Sequence, residues 1–296
     1  MKETILLTGA TGFLGSHLLG ALLVIGYDVV ILKRSFSDTW RIDHLLERIN
    51  FYDIDKVPLE KPFKDNKIKT VIHTAINYGR KGEKITEIIE TNLMFPMRLL
   101  EIAALFNTDT FINTDTLQYK YLNTYTLSKK QFVEWLKTFS KKIQTINLKI
   151  EHMYGPKDDK SKFVTWLISE LINNRDEIKL TKGEQKRDFI YIDDVVKAYI
   201  KILENKDKFS GFTEFDVGTG KQVRIKDFVI KTKQLISSIL GIEVRTNLNF
   251  GAIPYRECEF MEIEEDIKPL LDLGWKPEVE LEEGIRNTVK WEVEKI

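Results

Sequence analysis

Three groups of residues have types and spacings that chemistry requires. Tyr125-Thr126-Leu127-Ser128-Lys129 is a Y-x-x-x-K. On a helix, a four-residue step puts the phenol and the ammonium on one face. A free phenol titrates near pH ~10, and a neighbouring cation favours its ionised form, lowering it toward the working range of a proton donor. One strand–helix unit earlier stands Thr114-Asp115-Thr116, at the carboxyl end of the fifth apolar run. The third group is Thr8-Gly9-Ala10-Thr11-Gly12-Phe13-Leu14-Gly15, which follows a short apolar run and opens a helical pattern. Glycines at such a turn let the backbone approach a pyrophosphate, which rests on the amides and the positive dipole end of the helix. Gly9, Thr11, Gly12, Phe13, Leu14 and Gly15 are therefore candidate dinucleotide-binding residues.

The end of the second apolar run bears on the kind of dinucleotide. NAD sites place an acid there for the ribose hydroxyls. This chain reads Ile31-Leu32-Lys33-Arg34-Ser35, with no acid until Asp38. A carboxylate repels a 2′-phosphate, whereas the planar fork of Arg34 grips it. Lys33, Arg34 and Ser35 thus point to NADPH/NADP, and Asp53, Ile54, Thr74, Ala75 and Ile76 are counted with the same surface.

Elements must position these groups. Apolar runs at 4–8, 28–33, 49–52, 70–74, 110–113 and 145–150 alternate with helical patterns at 13–25, 39–47, 83–106 and 124–141. Continuous apolar strands with crossover helices predict an α/β fold, a Rossmann-type doubly wound parallel sheet of six units. After Gly155-Pro156 the regularity breaks down. Short strands near 178–180, 213–217 and 243–247 mix with helices at 161–173, 193–204, 225–239 and 281–294. The expected organisation is a cofactor-binding domain at 1–155 and a smaller, partly interleaved substrate-binding lobe at 156–296. The lobe lies over the carboxyl ends of the strands, where open α/β sheets bind ligands.

The bulk numbers exclude other classes. The 296 residues are 43% apolar and 30% charged, with zero formal net charge. No basic cluster marks a nucleic-acid partner. A single cysteine, Cys258, permits no intrachain disulfide and fits a reducing cytoplasm. Four histidines without metal-ligand spacing argue against a zinc site. The longest apolar run, 18–27, is about half of what spans a bilayer, so no membrane association is expected. Helices 83–106 and 124–141 carry apolar stripes on more than one side, which predicts a homodimer through a four-helix bundle.

With these motifs in hand, the chain resembles the extended short-chain dehydrogenase/reductases that act on nucleotide sugars, the NAD-dependent epimerase/dehydratase family. The resemblance extends beyond the glycine loop and the Y-x-x-x-K. Arg187-Asp188-Phe189-Ile190-Tyr191-Ile192-Asp193-Asp194 matches R-D-F-V-Y-V-D-D, Leu148–Pro156 sits where the family has R-x-x-N-V-Y-G-P, and Leu273-Gly274-Trp275-Lys276-Pro277 matches L-G-W-x-P. It implies that Thr116 hydrogen-bonds the reacting carbonyl, that Tyr125 and Lys129 complete the catalytic group, and that Thr114 lines the cofactor. Asn92 matches a family asparagine that braces the active-site wall and is counted with the cofactor residues. His152 replaces the usual asparagine and is counted with both cofactor and substrate. Arg187 and Arg256 would clamp the substrate pyrophosphate, Lys179 and Leu180 would line the base pocket, and Tyr78 and Arg80 are counted with the substrate residues.

The reaction class follows from what stands beside Thr116. A 4,6-dehydratase needs an acid/base pair after the threonine, typically T-D-E, and Leu117-Gln118 stands here instead. An epimerase that holds NAD permanently fits poorly with Lys33-Arg34. A reductase needs only NADPH, a hydrogen-bond donor and a proton donor. The segments 76–80, 89–98 and 148–155 resemble the branch of the family that makes CDP-paratose and CDP-abequose for lipopolysaccharide O-antigens. That branch reduces the 4-keto group of a CDP-3,6-dideoxyhexulose. The expected activity is therefore an NADPH-dependent 4-ketoreductase of a CDP-linked deoxyhexose. A nucleotide-sugar epimerase with tightly held NAD(P) and a non-catalytic NADP(H) sensor are the alternatives.

Overall fold

The computed structural model describes residues 3–294. Its strands are β1 (Thr4–Thr8), β2 (Asp28–Lys33), β3 (Asn50–Asp53), β4 (Ile68–His73), β5 (Thr110–Thr116), β6 (Gln144–Ile150), β7 (His152–Tyr154), β8 (Glu177–Leu180), β9 (Lys186–Tyr191), β10 (Phe212–Val217), β11 (Gln222–Arg224) and β12 (Asn247–Phe250). Its helices are α1 (Phe13–Ile25), α2 (Lys61–Asp65), α3 (Ile85–Ile89), α4 (Phe95–Leu105), α5 (Thr124–Phe139), α6 (Phe163–Ile172), α7 (Ile192–Asn205), α8 (Ile225–Leu240), α9 (Lys268–Asp272) and α10 (Leu281–Val293). A single π-helical turn, Glu90–Met94, joins α3 to α4.

Seven parallel strands form the main sheet in the order β10-β6-β5-β4-β1-β2-β3. Alternation along β1 shows why its run is continuously apolar. Ile5 and Leu7 pack into the core cluster that contains α1 and α7, while Leu6 packs into the opposite cluster with Leu99, Leu100, Phe132 and Leu136. Both faces are covered, so both parities must be apolar. Two small sheets, β11-β9-β7 and β12-β8, sit with α6, α8 and α10 beside the carboxyl ends of the main strands.

Several elements differ from the sequence expectation. The main sheet has seven strands rather than six, because β10, drawn from the second half of the chain, pairs in parallel with β6. The helix expected at 39–47 is a 3₁₀ turn, Asp43–Arg48. Ile42 and Leu45 are its buried anchors, and their three-residue spacing matches the period of a 3₁₀ turn. The strand expected at 243–247 pairs only from Asn247 onward, although Val244 and Thr246 are buried ahead of it. Strands β7, β9 and β11 are additional to the expected strands. On the helices expected to carry extra apolar stripes, Ile85, Met94, Leu105 and Trp135 are exposed. No helix among the described residues is long and apolar enough to cross a membrane.

Candidate active site

The helix that carries the Y-x-x-x-K is started by its own side chains. Asn123 Oδ1 accepts from the Thr126 amide at 2.9 Å, and Thr126 Oγ1 accepts from the Asn123 amide at 3.1 Å. This reciprocal cap fixes the first turn of α5, so Tyr125 and Lys129 emerge one turn apart on a defined face. Thr116, the last residue of β5, accepts from the Gln118 amide at 3.2 Å and shares a hydrogen bond with the Tyr125 phenol.

Asn92 lies in the π turn and is 1% exposed. Its Nδ2 donates to Asn77 O at 2.8 Å and to Ser128 Oγ at 3.1 Å, and its Oδ1 accepts from the Asn77 amide at 2.8 Å. Ser128 Oγ in turn donates to the Tyr125 carbonyl at 2.8 Å. Asn92 therefore ties the loop bearing Tyr78 to the turn bearing Tyr125, acting as a brace beneath the wall rather than part of its surface.

Electrostatics correct one expectation. The phenol of Tyr125 is held well above its ordinary value, chiefly by burial, with Tyr78 and Asp115 adding to the rise while Arg80 and the Thr116 hydrogen bond oppose it. Lys129 does not bring the phenol down into the neutral range. Instead, Lys129 is itself 1% exposed, and loss of hydration lowers its ammonium to about 8. The site thus keeps Tyr125 as an O–H, the form that donates. Asp115 is locked behind it: Lys130 Nζ lies 2.7 Å from its carboxylate, and Asn147 Nδ2 donates to the same oxygen at 3.3 Å.

A fall from 10.5 to about 8 corresponds to roughly 3 kcal/mol of lost stability for charged Lys129 at pH 7. The folded chain releases that proton near pH 8, while the unfolded chain holds it to about 10.5. Wild-type stability therefore gains as pH rises between those values. Lys129→Met is expected to raise the melting temperature at pH 7 and abolish turnover. A melting temperature below wild type would show that the buried ammonium is compensated.

A cleft of about 850 Å³ opens over the carboxyl ends of the main strands. At one end its wall is Gly9, Gly12, Phe13, Leu14, Gly15, Thr74 and Ile76. In the middle are Thr114, Thr116, Tyr125, Tyr78, Arg80 and His152, and at the far end Lys179, Leu180, Arg187 and Arg256. A neighbouring cavity of about 440 Å³ shares His152, Arg187, Arg256 and Glu259 with it. The glycine loop fits a pyrophosphate. Gly9 has φ +69°, and a Cβ on Gly15 would lie 2.1 Å from the Gly9 carbonyl oxygen, so chain and helix meet with no room for a side chain. Gly12 caps α1 without a side chain over its first amides.

The other sequence-selected residues stand outside that wall. Thr11 offers its carbonyl to Arg41 Nη1 at 3.5 Å. Ala75 donates its amide to Thr8 Oγ1 at 3.3 Å, and the Ile54 amide donates to Lys33 O at 3.0 Å. Lys33 Nζ lies 5.2 Å from the Phe51 ring centroid. Arg34 Nε donates to Asp55 Oδ1 at 2.5 Å, while Ser35 donates to Asp55 through its amide at 2.9 Å and to Asp53 through its hydroxyl at 2.6 Å. The expected 2′-phosphate grip is thus an exposed arginine already engaged by a carboxylate.

Several cleft residues carried no sequence signal. Arg41 lines the cofactor end, and its Nε donates to Lys157 O at 2.9 Å, pinning the 155–162 segment over the glycine loop. Asp158 beside it is 5% exposed, and burial raises its carboxyl to about 6. Glu151 holds His152 Nδ1 at 2.9 Å, and Glu259 is ion-paired with Arg187. Tyr78 and Tyr125 rings lie 5.0 Å apart, and Lys162 covers Tyr78. Arg41, Asp158, Lys162 and Glu259 are brought in by segments distant in sequence from the motifs they meet.

The family model described as "NAD dependent epimerase/dehydratase family" matches residues 5–218. The chain is 38% identical over 297 residues to the CDP-abequose synthase of Salmonella muenchen, covering 97% of each. It is 34% identical over 304 residues to the CDP-abequose synthase of Salmonella typhimurium, covering 98% of each. It superposes with a TM-score of 0.83 on the UDP-glucose 4-epimerase of Thermotoga maritima, at 23% identity and covering 99% of both chains. The family model covers more than half of the chain and both curated relatives match it over nearly their whole length, and the chain belongs to the NAD-dependent epimerase/dehydratase family of extended short-chain dehydrogenase/reductases.

Proposed function

We propose that the protein is an NADPH-dependent 4-ketoreductase of a CDP-linked 3,6-dideoxyhexulose, forming CDP-abequose or CDP-paratose. The observation that carries the reading is the Tyr125 phenol, kept protonated by burial and hydrogen-bonded to Thr116. No acid/base pair follows Thr116, and Asp115 is bound by Lys130. Two relatives named CDP-abequose synthase, matched over nearly their whole length, support the substrate class.

Bound NADPH supplies the hydride. Thr116 and Tyr125 hydrogen-bond the C4 carbonyl oxygen, Tyr125 gives it a proton, and Lys129 stands one helical turn behind. Arg187 and Arg256, at the far end of the cleft, are suited to the pyrophosphate, a bidentate task for guanidinium groups. Mixing the enzyme with NADPH and a CDP-4-keto-3,6-dideoxyhexose is expected to consume the near-UV absorbance of the cofactor. No consumption with CDP, dTDP, UDP or GDP 4-keto sugars would sink the reductase reading.

A second reading, an epimerase with retained NAD, is favoured by one observation. Asp55 already occupies Arg34, and Asp53 accepts from Ser35, so two carboxylates stand where a 2′-phosphate would be received. Purified protein that releases stoichiometric NAD on denaturation would select it.

A further inference from the structure

Tyr78 makes a ring contact with Tyr125 and has two cations against its own ring. Its ring centroid is 5.0 Å from that of Tyr125, at an interplanar angle of 44°. Lys162 Nζ lies 3.6 Å from the centre of the same ring, and Arg80 Cζ lies 5.1 Å from it. Arg80 Nη1 donates to Ser161 O at 3.2 Å, joining the loop after β4 to the loop before α6. The loop is held at its root as well, through Gly79 N to Asn77 Oδ1 at 2.9 Å and through the Asn92 brace. We propose that Arg80, with Lys162, is a positioning residue for the proton donor: the two cations lie against Tyr78 and hold its ring against Tyr125, and Arg80 sets fixed positive charge near the oxygen left as a phenolate when the proton leaves.

The inference rests on Tyr125 being the donor. In that step hydride addition forms a C–H bond at the carbonyl carbon, the C=O π pair moves onto the sugar oxygen, the Tyr125 O–H bond breaks as its proton joins that oxygen, and the phenolate recovers a proton from water. An ionised phenol away from water is costly unless cations face it. The groups around Tyr125 are Tyr78 and Arg80 from the β4–α3 loop, Lys162 ahead of α6, Asp115 and Thr116 from β5, and Lys129 with Lys130 on α5 itself. His152 lines the same cleft. Lys130 is committed to Asp115, and Lys129 loses its charge near pH 8. The charge of Arg80 acts on the phenol against burial. Cation–aromatic contact gives the pair a reason to stay on the Tyr78 face.

The test uses 2,3,5-trifluorotyrosine at position 125 of the full chain, whose phenol ionises far below ordinary tyrosine and can be followed by absorbance. Arg80→Gln is expected to raise its midpoint, making the phenol a three- to tenfold weaker acid by order of magnitude. Arg80→Lys should stay near wild type, and Lys162→Gln should move it in the same direction by less. In the natural chain, Arg80→Gln should shift the alkaline limb of kcat upward. An unmoved midpoint in folded Arg80→Gln protein, judged by near-UV circular dichroism, would overturn the proposal. If the midpoint moves but wild type consumes no NADPH with any 4-keto sugar, the role of Arg80 stands and the reductase reading fails.

Discussion

Tyr125→Phe is expected to lose about 10²- to 10⁴-fold in turnover, the contribution of a positioned general acid, while NADPH binding stays within about twofold because the lost interaction is made in the transition state. The geometry explains why the loss is confined to chemistry. Phenylalanine keeps the ring that meets Tyr78 at 5.0 Å. It also leaves intact the Asn123 cap and the Ser128-to-carbonyl hydrogen bond that set the turn, since neither uses the phenol. What goes is the O–H that burial keeps protonated and that Thr116 orients. Single-turnover measurement of NADPH absorbance, with calorimetric titration of the cofactor, checks both halves. Undiminished turnover would assign the proton to another group.

Gly15→Ala is expected to act on binding rather than chemistry. An added Cβ would meet the Gly9 carbonyl oxygen at 2.1 Å, the Gly9 carbonyl carbon at 2.6 Å and the Ala10 Cα at 2.9 Å. All three are backbone atoms, so no side chain can swing aside. Gly9 cannot yield easily either, being itself at φ +69° with the Ala75 amide nitrogen 2.6 Å from its own Cβ position. The loop must shift by a large fraction of an ångström, and misplacement on that scale costs about 10²-fold. Overpacking adds roughly 1–3 kcal/mol of destabilisation. Gly20→Ala, on the same helix with nothing within 4 Å, supplies the control and should be neutral or stabilising by about 1 kcal/mol. Equal cofactor affinity in Gly15→Ala and wild type, by calorimetry with NADPH, would show that the pyrophosphate does not rest on this loop.

What could be read in the chain follows from how local each feature is. The glycine loop and the Y-x-x-x-K are complete within eight and five consecutive residues, and their spacing alone fixes which atoms share a face. Strands buried on both sides, such as Ile5-Leu6-Leu7, announce themselves as apolar runs. By contrast, the π turn at Glu90–Met94 has no compositional mark, because an extra residue in one turn leaves the apolar pattern of 83–106 unbroken. Arg41, Asp158 and Lys162 lie on ordinary polar segments, and only the folding of the 155–162 segment over the glycine loop brings them into the cleft. In sequence Arg34, with Lys33 and Ser35, reads as a phosphate ligand. Asp55, some twenty residues on, meets it through the parallel pairing of β2 with β3. Lys129 was recognised as a cation near Tyr125, yet its burial, which decides its charge, depends on packing that spacing cannot express.

The position of β10 has a consequence for how the chain is made. On a ribosome the chain appears from its amino end, and β6 is finished at Ile150 while its outer neighbour ends at Val217. At roughly 5–20 residues per second, β6 therefore waits several seconds as a bare sheet edge. Its core, Thr145-Ile146-Asn147-Leu148, is fully buried in the finished molecule, and such an edge invites pairing with other nascent chains. A fragment ending near residue 155 would keep that exposed edge permanently. The half of the molecule that carries the glycine loop thus obtains the strand that covers its β6 edge only from the half that carries Arg187.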